Sequence, residues 1–200
     1  MKQYACHVNA LINAAPVSLP IPVNGQLVLL ITPAQPGSMV FDLSARLALH
    51  GTLRVLDAGN TFNVYEVARV LRRSTSAWQE RLRGIQMARA FTCYQVAAML
   101  AETPVHAAHL SAEPNATLVL DFLATFQDQN VPLRDRWRLI KSCVKDLRRL
   151  SRVEAVAVWV RQRPALPSEI SGFVAYLQRV CDRVWVAGEP PLISLQPGLF

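Results

Sequence analysis

The sequence predicts an α/β fold in which helices cover both faces of a mainly parallel β-sheet. Short apolar, β-branched segments alternate along the chain with longer segments of helical periodicity, and this alternation is typical of parallel sheets. Several of the short segments are apolar at every position, as strands buried between two helical layers are. A chain of 200 residues is long enough for one sizeable core and short for two, so we expect a single domain over residues 1–200.

Two sets of segments define this pattern, and each is recognised by the spacing of its apolar residues. The predicted strands are 27–31, 52–56, 117–120, 155–160 and 183–186. The predicted helices are 41–49, 65–73, 93–102, 133–152 and 169–181. Proline and glycine stand at the joins, as expected of turns. The first four strands are expected to be central neighbours in the sheet, and the proline-containing tail 188–200 is expected to form a closing strand or an extended arm.

The composition describes a folded chain in a reducing compartment. Apolar residues make up 52% of the sequence and charged residues 18%, which excludes an intrinsically disordered chain. The four cysteines form no CxxC pair, so neither a zinc site nor a disulfide framework is indicated, and the cytoplasm is the expected location. No segment approaches the roughly 20 apolar residues of a membrane-spanning helix, so no membrane partner is expected. The formal net charge of +7 predicts an acidic partner, most commonly nucleic acid.

A degenerate phosphate-binding loop follows the first predicted strand. The segment LVLLITPAQPGSMVFDLSARLA has the order strand, turn and helix, which is the context of the pattern GxxxxGK[ST]. Aligned with that pattern, Thr32 takes the first glycine position and Gly37 the second. Ser38 then stands where the lysine belongs and Met39 where the metal-binding serine or threonine belongs. The glycine of the turn is retained, whereas the cation and the metal ligand are not.

Three further segments occur in an order that resembles the RecA/RadA recombinase family. TLRVLDAGNTFNVYEVARV is similar to the family's second core strand and following helix, MARAFTCYQVAAML to its A-R-A-[FY] segment, and ATLVLDFLATF to its Walker B strand. The matching residues are Asp57, Thr61, Phe62, Arg89, Ala90, Phe91, Gln95 and Asp121. The resemblance covers about residues 23–186 and implies a RecA-like three-layer sandwich. It also implies that the loop 32–38 and Asp121 lie at the same carboxyl edge of the sheet.

The departures from the family bear on catalysis. Ser38 and Met39 replace the Walker A lysine and hydroxyl, and Gly59 stands where the family carries the glutamate that activates water. Phosphoryl transfer depends on positioning and on charge stabilisation, so we expect no ATP hydrolysis, no metal and no bound cofactor. Asp121 is then interpreted as a polar residue at a strand end that faces a vacant cleft. The relic nucleotide site comprises Thr32, Gly37, Ser38, Met39 and Asp121.

The predicted helix 133–152 carries a row of cations, which we call the cationic stripe. At about 100° per residue its members fall within an arc of roughly 80°: they are Arg134, Arg138, Lys141, Lys145, Arg148 and Arg152. The opposite side is apolar and is expected to pack on the sheet through Ile140, Cys143, Val144, Leu147 and Leu150. No acidic residue lies on the stripe itself, although like charges three or four residues apart repel. Two interpretations remain open, namely a surface that binds a polyanion or acidic protein, and a solvated face.

The resemblance adds two loops to this interpretation, because loops at 122–132 and 161–168 contact DNA in the family. Arg161 and Arg163 support this role for the second loop. The first loop has no lysine or arginine before Arg134 and does not support it.

These observations favour a non-catalytic RecA/RadA-like protein that binds DNA or a recombinase partner, as an accessory factor in repair or recombination. The resemblance also implies self-association, or pairing with an active paralogue. One alternative is an ATP-binding or ATP-hydrolysing enzyme with an unorthodox site or a site completed by a partner. A second alternative is a structural interaction module whose cationic stripe meets an acidic protein.

Overall fold

The computed structural model describes residues 19–32, 39–104, 115–161 and 168–187. The strands are β1 (Leu27–Thr32), β2 (Thr52–Asp57), β3 (Ile85–Arg89), β4 (Asn115–Leu120), β5 (Ala155–Arg161) and β6 (Arg183–Val186). The helices are α1 (Met39–His50), α2 (Val64–Ser74), α3 (Trp78–Arg83), α4 (Cys93–Glu102), α5 (Leu133–Ser151) and α6 (Ser168–Val180). None of the described helices is long and apolar enough to cross a membrane.

The strands form one six-stranded parallel sheet in the order β3-β2-β4-β5-β1-β6. One apolar core lies between the sheet and helices α4, α5 and α6. A second core lies between the opposite face and α1 and α2, with α3 packed at its margin. This architecture is consistent with a RecA-like three-layer sandwich, so the predicted fold class is confirmed.

The continuous apolar character of the central strands follows from these two cores. Successive side chains of a strand point to opposite faces of the sheet. In β1, Leu27 and Leu29 therefore enter the core beneath α5 and α6, while Val28 and Leu30 enter the core beneath α1. Every residue of β1 is buried. A strand with one solvated face would show alternation instead.

The predicted elements agree closely with the structure where apolar patterning is strong. The helix 93–102 and the strand 183–186 have the predicted ends, and each end of the other predicted elements lies within two residues of its observed position. The four strands expected at the centre, β2, β4, β5 and β1, are neighbours in that order. The predicted tail 188–200 lies outside the described residues.

Two elements, α3 and β3, are absent from the sequence prediction. Four of the five residues of β3 are exposed, so its sequence IQMAR carries no apolar alternation. The helix α3, WQERLR, is a short polar segment with no buried residue. Periodicity detects a strand or helix by its buried face, and both elements lack one.

A buried polar cluster joins three strands near their amino ends. Arg54 of β2 donates to Glu154 at 3.2 Å and to the hydroxyl of Thr117 in β4 at 3.2 Å. The Thr117 hydroxyl donates in turn to Glu154 at 2.7 Å. Glu154 immediately precedes β5, and all three side chains are largely shielded from water. The positive charge of Arg54 is therefore neutralised inside the protein, where this side chain links β2 to β4 and to the residue before β5.

Replacing Glu154 with alanine is expected to lower the free energy of unfolding by about 3 kcal/mol, because it leaves the Arg54 charge shielded and unpaired. Replacing both members, as Arg54→Met with Glu154→Leu, is expected to cost less than Glu154→Ala alone, since no orphaned charge remains. Denaturant unfolding followed by circular dichroism measures both values. A double variant less stable than Glu154→Ala would contradict the interpretation.

Candidate functional site

The carboxyl edge of the sheet brings together Thr32 and Asp121, two residues of the relic nucleotide site. Parallel strands end at a common edge, where open α/β sheets bind their ligands. Thr32 ends β1 beside Arg161, which ends β5. Asp121 directly follows β4, the strand on the other side of β5. Thr32 and Asp121 therefore lie at the same edge, while residues 33–38, including Gly37 and Ser38, lie outside the described residues.

Asp121 is buried and paired with an arginine. Its side chain accepts hydrogen bonds from Arg161 through Nε, at 2.9 Å, and through Nη2, both to Oδ2. The residue is 2% exposed and has a φ of 47°, a left-handed conformation in which aspartate is commoner than most residues. The expectation that Asp121 faces a vacant cleft is therefore wrong. The guanidinium of Arg161 supplies the positive charge beside this carboxylate.

The adjacent loop explains why glycine stands at position 59. A Cβ added to Gly59 would lie 2.5 Å from both the Cβ and the Oδ2 of Asp121, which is far inside van der Waals contact. The loop is held close to Asp121, because Ala58 donates its N–H to the carbonyl of Leu120 at 2.9 Å. No side chain, glutamate included, fits at position 59 while Asp121 keeps its place.

A second aspartate at this edge organises the loop after β2. Asp57 is fully buried and accepts the backbone N–H of Thr61 at 3.0 Å and of Phe62 at 2.9 Å. Arg89, at the end of β3, lies 3.5 Å from the same carboxylate. These bonds satisfy the carboxylate from the surrounding chain, so Asp57 acts as a structural anchor for the β2–α2 loop.

The two other described members of the relic site, Thr32 and Met39, are also engaged in packing. Thr32 is buried, and its hydroxyl accepts a hydrogen bond of 2.7 Å from the indole of Trp159. Met39 begins α1 and packs against the core on that side. Among the described residues, no group of three histidine, cysteine or acidic side chains is placed to hold a metal ion.

The described cysteines are packing residues. Burial raises the pKa of the thiols of Cys143 and Cys181 to about 12, and burial also raises the pKa of Cys93. A thiol is nucleophilic only as the thiolate. These three side chains therefore remain protonated and unreactive at neutral pH.

The cationic stripe lies on the solvent side of α5, and the predicted apolar face of this helix is buried. Five of its six members are exposed along the helix: Arg134, Arg138, Lys141, Lys145 and Arg152. Among the residues that the structure describes, none forms an ion pair or hydrogen bond with Arg134, Lys141, Lys145 or Arg152. The stripe thus contains four exposed cations that have no partner among the described residues.

Two members of the stripe, Arg138 and Arg148, have acidic partners that lie off the stripe. Arg148 pairs with Asp182 at 2.6 Å and also donates to the carbonyl of Val180. It thereby ties α5 to the turn between α6 and β6. Arg138 lies 3.4 Å from Asp135, although its side chain remains 73% exposed. Arg148 is a structural residue, and Arg138 is a partly neutralised one.

Two other arginines of α5 are also structural. Arg136 is buried and donates to Glu169 at 2.8 Å and to the carbonyl of Phe126 at 3.2 Å. Arg149 donates to carbonyls at the end of α4, including those of Leu100 and Thr103, and so caps that helix. The excess charge of α5 is therefore divided between internal bonds and the exposed stripe.

The predicted DNA-contacting loops receive little support from the described residues. Arg161 is bound to Asp121 and stands over the Trp159 ring, 5.7 Å from its centroid. Arg163 lies outside the described residues. In the other loop, Phe122 and Phe126 are fully buried and pack against each other, which makes this segment part of the core.

Sequence reasoning did not identify the exposed aromatic side chains. Tyr65 in the first turn of α2 and Phe91 just after β3 are 83% and 71% exposed, and Tyr94 in α4 is 48% exposed. Trp78 lies in the basic stretch 72–83 and is the tryptophan that the sequence favours as exposed, but it is only partly exposed, and the Arg72 guanidinium stands over its ring, 4.2 Å from the centroid. Tyr65 and Phe91 both lie within segments that resemble the family pattern, and a match of sequence to pattern does not indicate whether a side chain is exposed.

A comparison with known protein families finds no matching family, and a comparison with curated proteins finds no match.

Replacing Gly59 with alanine is expected to lower the free energy of unfolding by about 1–3 kcal/mol, as overpacking in a close-packed region does. The added methyl group displaces Asp121 and weakens its pairing with Arg161. The matched control is Gly172→Ala in α6, where an added Cβ lies 3.5 Å from Trp137 in ordinary contact. That control is expected to stabilise the helix by about 0.5–1 kcal/mol. Thermal or denaturant unfolding measures whether each variant is more or less stable than the wild type. A Gly59→Ala variant with an unchanged free energy of unfolding would contradict the packing argument.

Proposed function

We propose that this protein is a non-catalytic RecA-like protein that binds DNA through the cationic stripe of α5. The observation that carries the proposal is the set of exposed cations without described partners: Arg134, Lys141, Lys145 and Arg152. They project from one rigid helix whose opposite face is buried. Holding like charges on one helical face is unfavourable in the free protein, and a polyanion relieves that repulsion.

The length of the stripe favours a polymer over a small anion. From Arg134 to Arg152 the helix axis rises by roughly 27 Å, at 1.5 Å per residue. A single phosphate reaches one or two of these cations, whereas a nucleic-acid backbone presents charge continuously along that length. Such contacts fix position without reading base sequence.

The carboxyl edge supports a role without ATP hydrolysis. Arg161 neutralises the charge of Asp121 by forming an ion pair with it. Position 59 has no room for a catalytic carboxylate beside Asp121, and Ser38 replaces the lysine of the phosphate-binding loop. Catalysis of phosphoryl transfer rests on positively charged groups around the transferred phosphate and on a group that orients the nucleophile. The resemblance to recombinases supports a cytoplasmic accessory role in repair or recombination, beside DNA or a recombinase partner.

The purified protein is expected to show no Mg²⁺-dependent ATP turnover above background in a phosphate-release assay. The physical reason is the absence of the lysine, the metal-binding hydroxyl and the catalytic glutamate from their places. A turnover that requires Mg²⁺ and disappears in Asp121→Asn would overturn this part of the proposal and favour the ATPase alternative.

DNA affinity is expected to be largely independent of sequence and to fall steeply with salt concentration. Each phosphate contact contributes about −0.9 to the slope of log K against log salt on duplex DNA. The triple variant Arg134→Gln, Lys141→Gln and Lys145→Gln is therefore expected to flatten the slope by about two to three units. Fluorescence anisotropy with a labelled duplex at several salt concentrations measures the slope.

A matched control distinguishes the effect of the stripe on DNA binding from the effect of the protein's net charge. The variant Arg73→Gln, Arg83→Gln and Arg183→Gln removes the same charge from exposed positions on α2, α3 and β6, and its slope is expected to change little. Equal flattening in both triple variants would contradict a role for the stripe. A wild-type protein with no DNA affinity at low salt would overturn the proposal in favour of an acidic protein partner.

A further inference from the structure

Strand β3 is an edge of the sheet with little protection against pairing. Among the described strands it has β2 as its one neighbour, and four of its five residues are exposed. Natural edge strands are commonly protected by lysine, proline or a covering element. The sequence of β3, IQMAR, contains neither lysine nor proline, and its central Met87 is 46% exposed.

The hydrogen bonds to β2 determine which backbone groups of β3 point outward. The carbonyl of Gly84 accepts from Leu53, and the N–H of Ala90 donates to Asp57. Backbone groups of alternate residues in a strand point to the same side. The backbone N–H and C=O groups of Gln86 and Ala88 therefore point toward β2, as the carbonyl of Gly84 and the N–H of Ala90 do. The outer edge consequently offers the N–H and C=O groups of Ile85, Met87 and Arg89.

We propose that this edge pairs with β3 of a second copy of the chain, antiparallel and centred on Met87. In that register Met87 lies opposite Met87 of the second copy, and Ile85 lies opposite Arg89. An antiparallel pair exchanges two N–H···O=C bonds at every second residue pair. The three residues whose backbone groups point outward are also every second residue of β3. A two-fold axis at Met87 therefore pairs the outward N–H and C=O groups of all three residues with those of the second copy. This is the self-complementarity that an isologous dimer requires.

The side chains are compatible with this pairing. Arg89 is the one charged residue of β3; it already pairs with the buried Asp57 at 3.5 Å and would lie opposite the apolar Ile85, so no like charges are directly opposed. The two Met87 side chains meet at the axis.

The dimer is independent of the proposed function. Helix α5 packs over β1 and β5, not over β3, so pairing at β3 leaves the cationic stripe of each copy accessible. Because its contacts are backbone hydrogen bonds and apolar side chains, the dimer is expected to persist at salt concentrations that weaken DNA binding. A monomer that still binds DNA would overturn the dimer and leave the proposed function standing.

The first experiment uses proline to block the edge without breaking the sheet. The N–H of Met87 points away from β2, so Met87→Pro removes no bond of the native sheet, and proline is tolerated at such edge positions. The matched control is Met87→Ala, which keeps the N–H. Sedimentation velocity over a dilution series of the full chain is expected to give a dimer for wild type and Met87→Ala, and a folded monomer for Met87→Pro.

The second experiment tests the register by disulfide trapping. In the proposed pair, the Cα atoms at position 87 lie about 5.5 Å apart, within disulfide range. Met87→Cys is therefore expected to give a covalent dimer on oxidation with oxidised glutathione. Gln86→Cys is the control, because position 86 lies opposite 88 and its two copies are offset by roughly 7 Å along the strands, too far for a disulfide. The wild-type chain controls for the native cysteines.

Three outcomes would overturn the proposal. A wild-type protein that sediments as a monomer at every concentration would exclude the dimer. A folded Met87→Pro variant that remains dimeric would place the interface elsewhere. Equal trapping of the two cysteine variants, or trapping through position 86 alone, would exclude the two-fold axis at Met87.

Discussion

Burial of the central strands on both faces is the constraint on which the rest of the structure depends. Strands such as β1 and β5 are apolar throughout and are buried along their length, so helices must cover both sides of the sheet. With every strand parallel, the connections cross over the faces and the strand ends gather at one edge. The positions of Asp57, Asp121 and Arg161 follow directly from that arrangement.

The arginines of this basic chain divide into two groups with different physical roles. Arg54, Arg136, Arg148, Arg149 and Arg161 bind carboxylates or helix-end carbonyls of the protein itself. Removing such a partly buried group leaves its partner without compensation, so its contribution is to stability. Arg134, Lys141, Lys145 and Arg152 of the stripe have no such partner in the part of the chain that the structure describes. The formal net charge of +7 does not distinguish the two groups, because each cation adds one positive charge whether or not it is paired.

The sequence predicts most of the fold because most elements have a buried face. It does not predict β3, whose side chains are largely exposed, and it does not predict the partners of Arg148 and Arg161, which lie on other elements of the chain. Helical spacing locates the six cations on one side of α5, yet the acidic Asp182 that pairs with Arg148 is 34 residues away. Likewise, position 59 is identified as a departure from a family pattern, whereas the contact with Asp121 that requires glycine is a tertiary one.

The pairing of Arg161 with Asp121 has a consequence for control of the protein. Both charges belong to the protein itself, so this ion pair forms without a bound ligand and does not depend on the release of one. In the proposed non-catalytic function, no cycle of ATP hydrolysis at this edge separates a partner-bound state from a released state. Under that proposal, the fraction of protein bound to its partner is set by concentration, competition and ionic conditions, as for any equilibrium binder.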